Sequence, residues 1–356
     1  MSINWYPGHM HKAQKEIKER LPEVDMFIEI VDARIPYSSE NPMLANIRGD
    51  KPCLKILNKT DLAEDDITHE WQRYLEQTKN TKTLALNLQQ PNKSEQIFSL
   101  CHKLVPNKGT ITNPITCLIT GIPNVGKSTL INTLAGRTIA KTGNEPAVTK
   151  TQQRIDLGNN IILFDTPGLL WPKVENEDSG YRLAITGAIK DTAIEYDDIA
   201  YYAADFFLDN HPNAIMERYE LEEKPRDATA LLEAVGRKRG ALVSGGRINL
   251  NKTSAIFIHD FRSGTFGSIS LETPSVIEKE IAKTEQIIAE KAALKVSRKK
   301  NWKNKRWVKN LFFPPKKHLI LIIRLLGLPV VSKMAIDEVL HTQELPHRSH
   351  RRKLFT

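Results

Sequence analysis

Cysteine is scarce in this chain. Cys53, Cys101 and Cys117 are the only three in 356 residues, and no two form a C-x-x-C pair. That excludes a disulfide-stapled scaffold and a zinc ribbon built from cysteines alone. Long hydrophobic runs are also missing. The longest, Leu319 to Val331, spans 13 residues and contains Arg324, too short to cross a bilayer, so no membrane partner is expected. The first residues lack a basic start followed by an apolar stretch. No secretory signal is therefore expected, and the cytoplasm is the expected compartment. No internal repeat is visible. Core material is abundant: 40% of residues are hydrophobic and run through most of the length. This excludes a disordered chain and leaves room for one large or two medium domains.

Acidic residues nearly vanish from the last sixth of the chain. From Lys295 onward there are 16 Lys+Arg against 3 Asp+Glu, while residues 1–294 hold 35 against 39. The high pI of about 9.3 is thus a property of the tail, and it suggests a phosphate-rich partner for that part alone.

Six short β-branched runs end in polar loops: Met26–Val31, Cys53–Leu57, Thr83–Leu88, Ile115–Thr120, Arg154–Leu157 and Ile161–Phe164. Continuous apolar runs read as strands buried on both faces, hence a parallel sheet. Helical patterns alternate with them at Lys12–Leu21, Thr68–Gln77, Lys93–Leu104 and Ser128–Ala135. The expected class is α/β. Beyond Trp171 helices dominate: Tyr181–Ala193, Asp197–Leu208, Ala228–Lys238 and Pro274–Lys295, the last with Ile277, Ile281, Ile287 and Ile288 close to one face. The expected organisation is a nucleotide domain over 1–175, a smaller all-helical domain over 176–295, and a basic tail over 296–356. That tail is expected to be poorly ordered, with at most one short helix near Ser332–His341.

Gly121-Ile-Pro-Asn-Val-Gly126-Lys127-Ser128 fits G-x-x-x-x-G-K-[ST], with a strand before it and a helix after it. Such a P-loop turns backbone N–H groups around phosphate oxygens and adds the positive end of a helix. Lys127 reaches the β- and γ-phosphates, and the Ser128 hydroxyl joins a Mg²⁺ shell. Pro123, Asn124, Val125 and Thr129 complete the phosphate-side candidates. Asp165-Thr-Pro-Gly168 follows an apolar strand. Its carboxylate suits Mg²⁺, and the Gly168 N–H suits a γ-phosphate. Between the two motifs, Thr149 is the expected third oxygen for Mg²⁺, with Thr151 the competing candidate.

Asn58-Lys59-Thr60-Asp61 fits N-K-x-D. An Asp61 carboxylate accepts from guanine N1–H and N2–H₂ together, which adenine cannot supply. Asn58 can donate toward the purine's acceptor edge, and the Lys59 stem packs over the ring. Adenine would leave the carboxylate partly unpaired, at a cost of ~1–3 kcal/mol. The expected ligand is GTP or GDP, not ATP. The order is unusual, because the base motif precedes the P-loop by about 60 residues. Chain ends that lie close together permit such a circular permutation. The D-x-x-G segment then falls near a chain end, so the helical part is expected to hold it and to be reoriented by hydrolysis through Asp165–Trp171.

These motifs, with Trp5-Tyr-Pro-Gly-His-Met10, Val31-Asp-Ala-Arg-Ile-Pro36, Asp165-Thr-Pro-Gly-Leu-Leu-Trp-Pro172, Ala184-Ile-Thr-Gly-Ala-Ile-Lys-Asp191 and Ser244-Gly-Gly246, carry a resemblance from about residue 3 to 285. The chain resembles the ribosome biogenesis GTPase A family, circularly permuted GTPases that act in late assembly of the bacterial large ribosomal subunit. The resemblance implies a GTPase acting as a monomer, with the large subunit and its rRNA as partners. It implies that His9 orients the attacking water, since Leu169 stands where a glutamine usually follows D-x-x-G; a structural or RNA-contacting histidine is the alternative. It implies that Asn124 holds K⁺, and that the helical domain docks on rRNA. Glu145-Pro-Ala147 departs from the family's usual Pro-Gly, and residues 296–356 lie outside the family pattern. There Trp302 and Trp307, set among basic clusters, suit RNA phosphates and bases; a solvated extension suits them as well. Two other readings remain open: a nucleotide-gated rRNA clamp with incidental hydrolysis, and a small-subunit assembly GTPase. The latter's clustered cysteines and N-terminal barrel are not seen here.

Overall fold

The computed structural model describes residues 8–87, 94–140, 153–172 and 174–312. Residues up to Thr284 pack as one compact unit. Its sheet strands are β1 (Met26–Asp32), β2 (Cys53–Asn58), β3 (Thr81–Leu86), β4 (Ile115–Gly121), β5 (Gln153–Asp156) and β6 (Ile161–Asp165), in the order β3-β2-β1-β4-β6-β5. Every position of β1 and β2 is buried, as continuous apolar runs demand, and β1 to β4 and β6 pair in parallel. β5 is the exception: it pairs antiparallel with β6. It is an edge strand with one buried residue in four, Ile155, so the all-parallel expectation fails there. β3 begins two residues earlier than expected.

Among the helices, α1 (Gly8–Arg20), α2 (Pro36–Ser39), α3 (Pro42–Arg48), α4 (Asp65–Leu75), α5 (Ser94–Leu104) and α6 (Lys127–Ala135) alternate with the strands. Then follow α7 (Glu177–Ile185), α8 (Tyr196–Asn210), α9 (Pro212–Tyr219), α10 (Ala228–Lys238), α11 (Leu250–Arg262) and α12 (Pro274–Phe312). Four of these were not expected. α2, α3 and α9 each open on a proline, which begins a helix as readily as it breaks one. α11 is capped by Asn249, whose side chain accepts from the Lys252 amide, and it buries Phe257, Ile258 and Phe261 at helical spacing. The helix expected over Tyr181–Ala193 stops at Ile185, because Gly187 turns the chain at φ +82°.

One buried cluster runs from Met10 and Ile17 of α1 through the sheet to Phe207, Phe257 and Leu271. A second joins Val31, Leu57, Trp71 and Leu75 to Ile277 of α12. By itself the segment 285–312 is helical, seventeen residues beyond Lys295. It contains no proline or glycine, and strong helix formers need no apolar stripe when solvated. Ile287 and Ile288 are exposed there. The segments expected at Leu319–Val331 and Ser332–His341 lie outside the described residues. Among the described residues no helix is long and apolar enough to cross a membrane.

Candidate functional site

All the motif-bearing strands end at one edge of the sheet. β1 pairs with β2 on one side and with β4 on the other. The β1–β4 crevice is therefore where strand order reverses, and ligands of open α/β sheets bind at such a point. The base half comes from β2 and the phosphate half from β4 and β6. Permutation changes which loops connect them but not this adjacency.

The P-loop leaves β4 at Gly121. A Cβ there would lie 2.8 Å from the Ile30 carbonyl, so only glycine fits against β1. Asn124 (φ +61°) and Gly126 (φ +96°) adopt left-handed conformations that reverse the loop onto α6. Pro123 and Val125 are buried, Ser128 is half-buried on the first turn of α6, and Thr129 beside it is exposed. Lys127 is buried and its ammonium contacts Asp165 Oδ1. Burial lowers the pKa of Lys127 and raises that of Asp165, while the pair's attraction opposes both shifts. The other oxygen, Asp165 Oδ2, is buried with no hydrogen-bond partner among the described residues. A buried carboxylate oxygen of this kind suits a hydrated divalent cation, and Ser128, half-buried on the first turn of α6, offers a hydroxyl as a second hard oxygen. The residues present fit Mg²⁺.

After Asp165 the chain is tightly held. The Thr166 hydroxyl donates to the Ile119 carbonyl at 2.7 Å. A Cβ on Gly168 would sit 3.1 Å from both Cα and N of Pro123, so this glycine lets the segment abut the P-loop. Leu169 is wholly buried; its amide donates to the Gly121 carbonyl at 3.1 Å and its carbonyl accepts from Asn41 Nδ2 at 2.9 Å. A buried, apolar, doubly anchored residue cannot orient water. Asn124 Nδ2 donates to the Gly187 carbonyl at 2.7 Å, joining the P-loop to the loop after α7.

On the base side, Asn58 Nδ2 donates to the Val125 carbonyl at 2.6 Å. The bond ties the base loop to the phosphate loop, and because an amide nitrogen carries two hydrogens it is compatible with the purine contact expected of Asn58. Lys59 is left-handed (φ +65°) and its ammonium donates to Asp32 Oδ2 at 2.8 Å. Asp61 sits exposed in the short 3-10 turn Thr60–Leu62. That turn is strapped by the segment before α12: Ser268 donates to the Asp61 carbonyl, the Ile269 amide to that of Leu62, and Glu64 and Ser270 bond reciprocally. No spacing rule announces Asn41, Asp32 or this strap, since each acts across more of the chain than a motif spans.

Thr149, Thr151 and the Glu145–Ala147 departure lie outside the described residues, as does the side chain of His9, whose backbone opens α1.

Comparison with known proteins accords with this geometry. The family of 50S ribosome-binding GTPases matches residues 116–231. Ribosome biogenesis GTPase A of Bacillus pumilus is 45% identical over 281 residues, covering 77% of this chain and 99% of that protein. The Bacillus licheniformis protein of the same name is 46% identical with the same coverage. Mitochondrial ribosome-associated GTPase 1 of Xenopus tropicalis is 33% identical, over 76% of this chain and 94% of its own. Among solved structures, GNP-bound YlqF from T. maritima superposes with a TM-score of 0.55 at 26% identity, over 74% of this chain and 98% of that one. With identity at this level along nearly the whole of those relatives, and a guanine motif set ahead of its P-loop on a single sheet edge, the chain belongs to the ribosome biogenesis GTPase A family and is a circularly permuted GTPase.

Proposed function

We propose that this GTPase binds the maturing large ribosomal subunit through its rRNA, hydrolyses GTP there late in assembly, and then leaves. The reading is carried by the 45% identity that extends over 99% of a relative named for ribosome biogenesis. It acts as a monomer in the cytoplasm. Asp61 accepts from the guanine edge while the Lys59 stem covers the ring. Lys127 exchanges its contact with Asp165 for the β- and γ-phosphates, and the Gly168 amide donates to the γ-phosphate. Mg²⁺, held by Ser128, Asp165 and Thr149, supplies charge neutralisation at the phosphate oxygens. Asn124 offers a neutral amide oxygen of the kind that suits K⁺. Because Leu169 is buried, water must be oriented by another group. His9, on the first turn of α1, takes that role once the ribosomal particle completes the site, so turnover by the protein alone is slow.

The buried Leu169 also favours a second reading, a nucleotide-gated rRNA clamp in which hydrolysis is incidental. Sedimentation with purified large and small subunits, in GDP or a non-hydrolysable GTP analogue, separates the possibilities. Co-sedimentation with large subunits only in the analogue, and a steep rise in GTPase rate that His9→Ala removes, is the expected result. Binding without rate stimulation favours the clamp, and binding to small subunits defeats both. Lys127→Ala is expected to abolish turnover.

A further inference from the structure

We propose that Asp32, buried at the end of β1, is a positioning residue of the base pocket: it holds the Lys59 ammonium so that the lysine stem lies fixed across the guanine ring. The inference rests on assigning Asn58–Asp61 to the base.

Asp32 is 2% exposed and pairs in register with Asn58 across the β1–β2 ladder. Its carboxylate accepts from four donors: Lys59 Nζ at 2.8 Å, Arg34 Nε at 2.9 Å, Arg34 Nη2 at 2.7 Å and the Arg34 amide at 3.1 Å. Those bonds use its lone pairs, so it is not a base-reading group itself; the exposed Asp61 is. Burial alone would raise its pKa, but Arg34 and then Lys59 hold the carboxyl well below the usual carboxylate range. Asp32 is therefore charged whenever the protein is folded near neutral pH.

Lys59 needs such an anchor. A lysine has a flexible four-carbon stem, and an untethered one samples many rotamers. Burial lowers its pKa, and Asp32 is the first charge that opposes this, whereas Arg34 adds to it. Without the carboxylate, two neighbouring cations would face each other in a buried site, and the lysine would turn out toward water. Arg34 is fixed in turn from the helical side: its guanidinium lies over the Phe261 ring of α11 at 5.0 Å, and its carbonyl accepts from the Leu271 amide. The anchor beneath the base is thus built by residues from β1, α11 and the segment before α12.

The test is a double-mutant cycle read by fluorescent guanine-nucleotide binding. Lys59→Met keeps an apolar stem but offers no ammonium, and Asp32→Asn removes the acceptor charge. Each is expected to weaken GTP and GDP alike by roughly tenfold, with the Asp32→Asn loss falling on KM rather than kcat. The double variant should bind no more weakly than the weaker single. Losses that multiply in the double, or Lys59→Met binding as tightly as the native protein, overturn the proposal. Should Asp32→Asn fail to fold, as judged by thermal melting, Lys59→Arg decides. It keeps a cation for Asp32, so it should bind several-fold more tightly than Lys59→Met, and equality of the two overturns the proposal. Asp61→Asn probes the underlying assignment separately: undiminished GTP binding there removes the base site itself, whatever Asp32 does.

Discussion

Glu272 offers a test of how burial governs this fold. It precedes α12 and is 2% exposed. Its carboxylate accepts from the backbone amides of Tyr37 and Ser38 and from the Ser38 hydroxyl, with Arg182 Nη1 3.5 Å away. Burial outweighs these partners and pushes the carboxyl up from 4.5 to about 7. A rise of that size corresponds to about 3 kcal/mol. The sign follows from a raised folded-state value: the contribution is fully present below 4.5 and is lost as pH climbs through 7, where the fold must hold a buried charge. Glu272→Gln removes the titration at nearly constant volume. Its carbonyl oxygen can still accept from Tyr37 and Ser38, and its amide can donate to the Ser38 hydroxyl. Urea unfolding of both proteins from pH 5 to pH 8 gives the difference in stability, in which the raised carboxyls of Glu29 and Asp165 cancel. Arg182 keeps its bonds to Glu280, so any lost attraction appears as an offset and the titration as a slope. The variant should gain on the native protein by up to about 3 kcal/mol across this range. A difference that stays flat, or that moves the other way, refutes the reasoning.

Three further outcomes are expected. Gly168→Ala places a methyl 3.1 Å from the Pro123 backbone; since neither chain segment can yield cheaply, it should destabilise the pocket by about 1–3 kcal/mol and lower kcat/KM in single-turnover assays. Trp71→Ala empties the centre of the second core cluster and loses the bond from Nε1 to the Glu272 carbonyl at 3.0 Å; a loss of about 3–5 kcal/mol in urea unfolding is expected. Asp61→Asn replaces an acceptor by a donor, so competition binding should show affinity moving from GTP to xanthosine triphosphate, whose ring carries an oxo group where guanine has an amine.

Much of the pocket was legible because its chemistry is local. A P-loop works through consecutive amides, and N-K-x-D through one turn, so Gly121–Ser128 and Asn58–Asp61 declare themselves by spacing. The strands β1, β2, β4 and β6 were legible for a related reason: a strand buried on both faces has no polar side to show. The run at Arg154–Leu157 was legible as β5, but its antiparallel pairing with β6 was not, because an edge strand burying one residue in four carries no signal of its direction. The helices opening at Pro36, Pro42 and Pro212 escaped because at four, seven and eight residues they are too short to display a helical period. No motif announces the second partner of Asn58, the Val125 carbonyl 67 positions away.

The sequence by itself determined the ligand's two ends, a triphosphate and a guanine ring, and the permuted order in which the chain meets them. Tertiary structure alone decided how those ends become one pocket. Pairing of β1 with β4 sets the base loop beside the P-loop, and Asp32, Asn41 and Glu272 then fix side chains and backbone that lie far from them in sequence. The physical reason is that a buried charge or carbonyl must find a partner wherever the fold brings one within hydrogen-bonding distance, and that proximity is a property of packing, not of spacing along the chain.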